Sequence, residues 1–382
     1  MEQDMNTTGI SEIILLGFEF QQDFKYLIFF LFLVIYMVTT AGNVMIILLV
    51  STSYRLQLPM YFFLGHLSFS DVLLISNIVP ILLHVTLLGG GILSLTACIT
   101  QFFLYGASTT TGCLLLTVMS YDRYLAICNP LHYSTIMDHK MCIYLVTFSW
   151  SLGFTVTLFT IFLMQTLWFC GPNVIDHFFC DLGPLLELSC SDVSLVNYVV
   201  FMFSSILTII PFLFIMITYL FISLTILKIT SATERQKTFS TCSSHLAVVC
   251  TCYGALFAMY LVPSGDQSTS VNKVISLMYT VVTPFVNPII YSLRNQEIKS
   301  MQEVEEPTVE APSTSVDTVA ELKRLQAESD GITGVVAVLV DVVARLDDDE
   351  DAGTDSLCVV DGVDGVLDEL YICLIMAAAI GS

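Results

Sequence analysis

Apolar residues crowd into seven stretches of this chain, and polar residues gather between them. The stretches run over roughly 24–50, 59–84, 97–128, 141–166, 194–227, 238–261 and 272–292. Each reaches the length of about 20 residues that a helix needs to cross a bilayer core. Backbone groups in lipid must be satisfied within each segment, so the pattern predicts seven α-helices and not a barrel. The third and fifth are long enough to tilt or to project beyond the bilayer. The fold class read from this is an all-α membrane protein, a seven-transmembrane helix bundle. Pro80, Pro211, Pro284 and Pro288 fall inside spans, where neighbouring helices and Ser or Thr can re-satisfy the freed carbonyls and a kink can act as a hinge.

Orientation follows from the basic residues of the short loops. With residue 1 outside, Arg55, Lys140, Lys228, Arg235, Lys237, Arg294 and Lys299 fall inside and Arg123 lies at the inner boundary; only Lys25 and Lys273 fall outside. No basic region followed by a short apolar core and a cleavage site opens the chain, so the first span is expected to be its own insertion signal. Asn6-Thr7-Thr8 is an N-glycosylation acceptor if this end is extracellular.

Composition agrees: 55% of residues are hydrophobic and 12% charged, against about 25% charged in soluble domains. Net charge divides the chain again. Residues 1–300 hold 15 acids and 10 Lys or Arg; residues 301–382 hold 19 acids and 3 Lys or Arg. The expected organisation is an extracellular stretch 1–23, a helical domain 24–300 and an acidic cytoplasmic extension or fused module 301–382.

Asp122 and Arg123 stand side by side at the end of the third span. A charge pair beside hydrocarbon is costly and marks function by default, although Lys or Arg at span ends often only marks the boundary. Asp71 is a carboxylate midway through span two, with Asn43, Asn287 and Ser120 at comparable depth. The functional reading is an internal polar network with two arrangements, with or without a cation; the plain one is a static cluster around a protonated Asp71. Ser108, Thr109, Thr110 and Thr111, with Tyr105, Tyr253 and Tyr260, set hydroxyls among apolar residues. That is the chemistry of a small-molecule cavity, or of helices packed through small residues. Cys98, Cys170, Cys180 and Cys190 share the outer side and suggest two disulfides in any of three pairings. Cys113, Cys128, Cys142, Cys242, Cys250 and Cys252 read as packing residues.

Five motifs together resemble one family. They are Pro59-Met-Tyr-Phe-Phe-Leu-Gly-His-Leu-Ser-Phe-Ser-Asp71, Met119-Ser-Tyr-Asp-Arg-Tyr-Leu-Ala-Ile-Cys128 followed by Pro130-Leu-His-Tyr133, His177-Phe-Phe-Cys-Asp181, Lys237-Thr-Phe-Ser-Thr-Cys-Ser-Ser-His-Leu246, and Pro284-Phe-Val-Asn-Pro-Ile-Ile-Tyr-Ser-Leu-Arg-Asn295. In this order they are similar to vertebrate olfactory receptors, which are rhodopsin-like G-protein-coupled receptors, over about residues 5–300.

The resemblance implies bridges Cys98–Cys180 and Cys170–Cys190, and a short amphipathic helix near 293–300. It implies a switch in which Asp122 holds Arg123 until activation, with Tyr124, Tyr219 and Tyr291 taking part and Thr238, Ser240 and His245 moving with span six. By family position the odorant site comprises Tyr105, Gly106, Thr109, Thr110, Phe203, Ser204, Leu207, Tyr253, Leu256 and Tyr260. The implied partners are a small, mainly apolar volatile, an olfactory Gs-type G protein that raises cAMP, and the plasma-membrane bilayer. No cofactor, metal or nucleic acid is implied.

Three departures stand out. Gly112 occupies a position where the family often has Glu, which speaks against a sodium site shared with Asp71. Ser120 stands where Ala is common. The family usually ends soon after the stretch matching 293–300, and residues 301–382 resemble nothing in it. Asp347–Asp351 lacks the spacing of a calcium loop, and 371–380 is too short to span. Other classes fit less well. A channel or transporter would show repeats and more intramembrane charge. No span carries the paired His and Glu or paired Asp that a membrane enzyme needs.

Overall fold

The structure, a computed structural model, describes residues 10–18, 22–53, 56–261 and 269–294. Asn6, Arg55, Lys299, the extension 301–382 and all but the first two residues of the expected helix 293–300 lie outside the described residues, as do the side chains of Lys237, Ser240, Tyr260 and Arg294. Seven described helices are long and apolar enough to cross a membrane. Met1–Tyr219 and Leu220–Ser382 form two compact units.

The first unit carries β1 (Glu12–Leu15), α1 (Gln22–Thr52), α2 (Pro59–Leu88), β2 (Gly91–Ser94), α3 (Leu95–Cys128), α4 (Pro130–Ile136), α5 (His139–Met164), β3 (Val174–Ile175), α6 (Leu182–Glu187) and most of α7 (Ser194–Ile226). Helix ends follow local chemistry. Gly89, at φ 74°, closes α2 and returns its N–H to Val85 O at 2.8 Å, the left-handed cap that glycine adopts without strain. Ser94 caps α3 by accepting the Ala97 N–H at 3.1 Å, and Asp138 caps α5 through the Met141 N–H at 2.8 Å. These caps carry α2 to Leu88 and start α3 and α5 two residues earlier than hydropathy alone sets them.

α1 packs on α2, α2 on α3 and α3 on α5. The α3–α5 seam is made of small residues. A Cβ on Gly153 would stand 2.6 Å from Thr111 Oγ1 and 2.8 Å from Ala107 O, and one on Gly106 would stand 3.0 Å from Thr157 Cγ2. Lipid offers no hydrophobic drive between helices, so close backbone approach and dispersion do the holding.

The disulfide-bearing end is closed by a three-stranded sheet in the order β2-β1-β3. β1 runs antiparallel to β2, with Glu12 opposite Ser94 and Leu15 opposite Gly91, and parallel to β3, with Ile14 opposite Val174. Strands this short hold only with a packed face. Ile13 and Leu15 supply it, buried with Val85, Cys98, Phe102, Met164, Ile175, Cys180, Leu185 and Leu186.

In the second unit, α8 (Ala232–Leu261) packs on α10 (Thr283–Arg294). The seventh span is α9 (Thr269–Leu277), a π turn (Met278–Val282) and α10. The Thr283 N–H reaches back to Met278 O. Pro284 follows with no N–H to give, so the wide turn sits where the regular ladder must break anyway.

Candidate functional site

The end of α3 opposite the disulfides carries the charge pair. Asp122 is 2% exposed, and its Oδ1 accepts a 2.8 Å hydrogen bond from the Tyr133 hydroxyl on α4. Burial pushes the Tyr133 hydroxyl pKa well up; the Asp122 charge adds to this and the Arg123 charge opposes it. The hydroxyl therefore stays protonated, as a donor. Tyr133 closes the Pro130-Leu-His-Tyr133 motif, yet nothing in that motif marks its contact with Asp122. Its role needs α4 to fold back under α3, which no spacing rule expresses. Nearby, Ser120 Oγ bonds Thr117 O and the Thr218 hydroxyl on α7, at 3.0 and 3.2 Å. Tyr121 stacks with Tyr124 and meets Phe214. Tyr219 is buried here; Tyr291, His245 and Asn287 are buried within the second unit, where Thr238 also lies.

Midway along the bundle, Asn43 Nδ2 donates to Thr39 O at 3.0 Å and Ser70 Oγ to Ser108 O at 2.9 Å. Asp71 is buried beside them on α2. A Cβ on Gly112 would meet only Leu67 Cδ1, at 3.8 Å. Space exists there, but Gly112 offers no ligand. With Gly at position 112, the donor set there lacks the second carboxylate of a cation shared with Asp71.

The run Ser108–Thr111 divides by helical direction. Ser108 gives its carbonyl to Ser70 of α2, and Thr111 points its hydroxyl at Ser149 O of α5, 3.5 Å away. Thr109 Oγ1 is buried with no hydrogen-bond partner among the described residues. Gly106 lies against Thr157, which makes it a close-approach position of the α3–α5 seam. Thr110, Ser204 and Leu207 are half-buried, and Phe203 meets the Phe159 ring of α5 edge-on at 5.8 Å. Tyr253 and Leu256 are buried in the second unit, with Phe257 6.4 Å from the Tyr253 ring.

The long loop sits above Tyr105. Disulfides join Cys98 to Cys180, with Cα atoms 5.4 Å apart, and Cys170 to Cys190, 5.8 Å apart. Phe179 meets Tyr105 edge-on at 5.3 Å, and Phe178 stacks on Phe18 at 5.4 Å. Outside the spans, burial raises the Asp181 pKa, while the Ser194 hydroxyl and N–H hold that of Asp192 down.

The sequence profile described as "Olfactory receptor" matches residues 32–304. Olfactory receptor 11L1 of Homo sapiens is 45% identical over 297 residues, 78% of this chain and 92% of that protein. Olfactory receptor 6X1 of Homo sapiens is 44% identical over 294 residues, 77% and 94% of the two chains. Olfactory receptor 1f45 of Rattus norvegicus is 43% identical over 295 residues, again 77% and 94%. A seven-span chain with such relatives along nearly their whole length belongs to the olfactory receptor family: it is a multi-pass plasma-membrane, odorant-sensing G-protein-coupled receptor and not an enzyme.

Proposed function

We propose that this receptor takes a small, mainly apolar volatile in the disulfide-end half of the bundle and activates a Gs-type olfactory G protein, raising cAMP. The carrying observation is the Thr109 hydroxyl, buried with no partner among the described residues, one turn from Tyr105 on the same face of α3. A buried polar atom left unmade is costly, and a ligand carbonyl or hydroxyl would complete it. Thr110, Phe203, Ser204 and Leu207 are the site's further residues in the first unit, Phe203 and Leu207 apolar and Thr110 and Ser204 hydroxyl-bearing. Gly106, Tyr253, Leu256 and Tyr260 belong to the site by family position.

On this reading the amino terminus is extracellular, with Asn6 open to glycosylation, and residue 300 faces the cytoplasm, following the basic loops. Residues 1–23 precede a receptor domain 24–300, and 301–382 form an acidic cytoplasmic extension. Arg123 is the contact for the G protein, released when Asp122 and its partners let go; Tyr124, Tyr219 and Tyr291 complete the switch and Asn43, Asp71 and Asn287 its internal network. A lock of this kind is bistable, and ligand need only shift the population.

The test is cAMP in cells carrying the olfactory G protein, scanned with straight-chain alcohols, aldehydes and esters. Arg123→Ala and a 303–382 deletion are run alongside. A response kept in the deletion and lost in Arg123→Ala is expected. A response that survives Arg123→Ala at equal surface level would overturn the switch.

A further inference from the structure

We propose that Gln101 positions the roof of the odorant site by holding Phe179 over Tyr105. The inference rests on the placement of the site beside Tyr105 and Thr109.

Gln101 lies on α3, three residues after Cys98, and is 3% exposed. Both ends of its amide are used. Nε2 donates to the Asn77 carbonyl of α2 at 3.1 Å, and Oε1 accepts the Cys180 N–H at 2.9 Å. Asn77 Nδ2 returns a 2.9 Å bond to the Gln101 carbonyl. The side chain thus ties α2, α3 and the long loop together at one buried point. Glutamine suits this place because one planar head carries a donor and an acceptor. Glutamate would keep only the acceptor, and methionine neither.

The Cys98–Cys180 bridge tethers the loop but leaves its main chain free to turn about the sulfurs. The bond from the Cys180 N–H to Gln101 sets that direction, and residue 179 comes next. Phe179 is fully buried, with its ring 5.3 Å from Tyr105, 4.7 Å from His177 and 5.1 Å from Phe178. Tyr105 lies four residues after Gln101 on α3, about 6 Å deeper and on the same face. Phe179 is therefore pinned from above by Gln101 and rests below on an aromatic of the proposed site. Thr109 lies one turn deeper still. The ligand this order fits has an apolar body against Phe179 and Tyr105 and one carbonyl or hydroxyl acceptor toward Thr109.

The test uses the full-length receptor on intact cells. The probe is a permanently cationic, membrane-impermeant methanethiosulfonate reagent. Its reaction rate with Tyr105→Cys is compared in the parent and in Gln101→Met, at measured surface levels. One buried hydrogen bond holds the loop to Gln101 and a second holds Gln101 to α2, and Gln101→Met removes both, so it should speed labelling roughly tenfold or more. Background labelling of Cys113, Cys128, Cys142, Cys242, Cys250 and Cys252 should stay as in the parent, which a general loosening of the fold would not allow. Phe179→Ala, with Gln101 intact, should speed labelling too, and decides the matter if Gln101→Met does not reach the surface. Equal rates in parent and variants would overturn the roof while leaving a cavity at Tyr105. No labelling of Tyr105→Cys in any background would overturn the cavity and the roof with it.

Discussion

The Tyr133 hydroxyl donates a 2.8 Å hydrogen bond to Asp122 Oδ1 and so ties α4 to the end of α3. Hydrogen bonds to charged groups are worth about 1.5–3 kcal/mol, roughly ten- to a hundredfold in an equilibrium. Tyr133→Phe removes the bond and keeps the ring. If the bond holds the resting state, basal cAMP per surface receptor should rise several-fold, and Asp122→Asn should raise it further. Basal signalling at the parent level in Tyr133→Phe would show that the bond does not restrain the switch.

Gly17 stands at φ 73°, and a Cβ there would land on Val85 Cγ1. The same residue donates its N–H to His177 O, and Phe18 follows, stacked on Phe178. Gly17→Ala combines a left-handed backbone, about 1–2 kcal/mol against an ordinary side chain, with a steric clash. The purified receptor should melt several degrees lower. Hydrogen exchange should rise along 12–15, where β1 is stitched to the loop. Parent-like melting and exchange would mean that this strap is not held at Gly17.

Two glycines of the bundle should answer differently to alanine. At Gly153 the new Cβ meets the Ala107 carbonyl at 2.8 Å, a backbone atom that cannot swing aside, and overpacking of this kind costs about 1–3 kcal/mol. At Gly112 the nearest atom is the flexible end of Leu67 at 3.8 Å. Alanine there should be neutral or stabilising by about 0.5–1 kcal/mol, the helical preference of Ala over Gly. Thermal midpoints in detergent would show it, and the reverse order would contradict the packing of α3 on α5.

Asp181 titrates outside the spans, and burial raises its carboxyl pKa, against the pull of the Leu182 N–H at 2.8 Å. A raised carboxyl holds its proton more tightly in the folded state than in the unfolded chain. Its contribution to stability is complete below the ordinary value of about 3.9 and is lost as pH rises through the raised one. The melting temperature should therefore fall from about pH 4 toward neutrality by an amount that Asp181→Asn removes. Identical pH profiles for parent and variant would rule the effect out.

The seven spans were legible because each is decided by its own composition. A run of some 20 apolar residues has one low-energy solution in lipid, a helix that satisfies its own backbone. The basic loops, the Asp122–Arg123 pair and the family motifs are equally local, so the chain's class could be read in order, and the residues proposed for its switch could be named. The caps at Ser94 and Asp138 are local as well, and refine helix ends by a residue or two.

What tertiary structure alone decided are pairings between distant segments. β1 and β3 are four and two residues long, and only the burial of Ile13, Leu15 and Ile175 makes a sheet of them. The run Ser108–Thr111 reads as four equivalent hydroxyls until packing separates two of them: Thr111 turns its hydroxyl toward α5, and Thr109 Oγ1 is buried with no hydrogen-bond partner among the described residues. That Gly106 also lies against Thr157, as a close-approach position of the α3–α5 seam, is decided by packing alone. The contacts of Gln101 and Tyr133 are not written in their own neighbourhoods, since their partners, Cys180 and Asp122, are reached only when a loop folds over α3 or a turn folds back beneath it. Hydropathy reports how a segment meets its solvent; a hydrogen bond between two segments depends on where both end up, and that is fixed by packing.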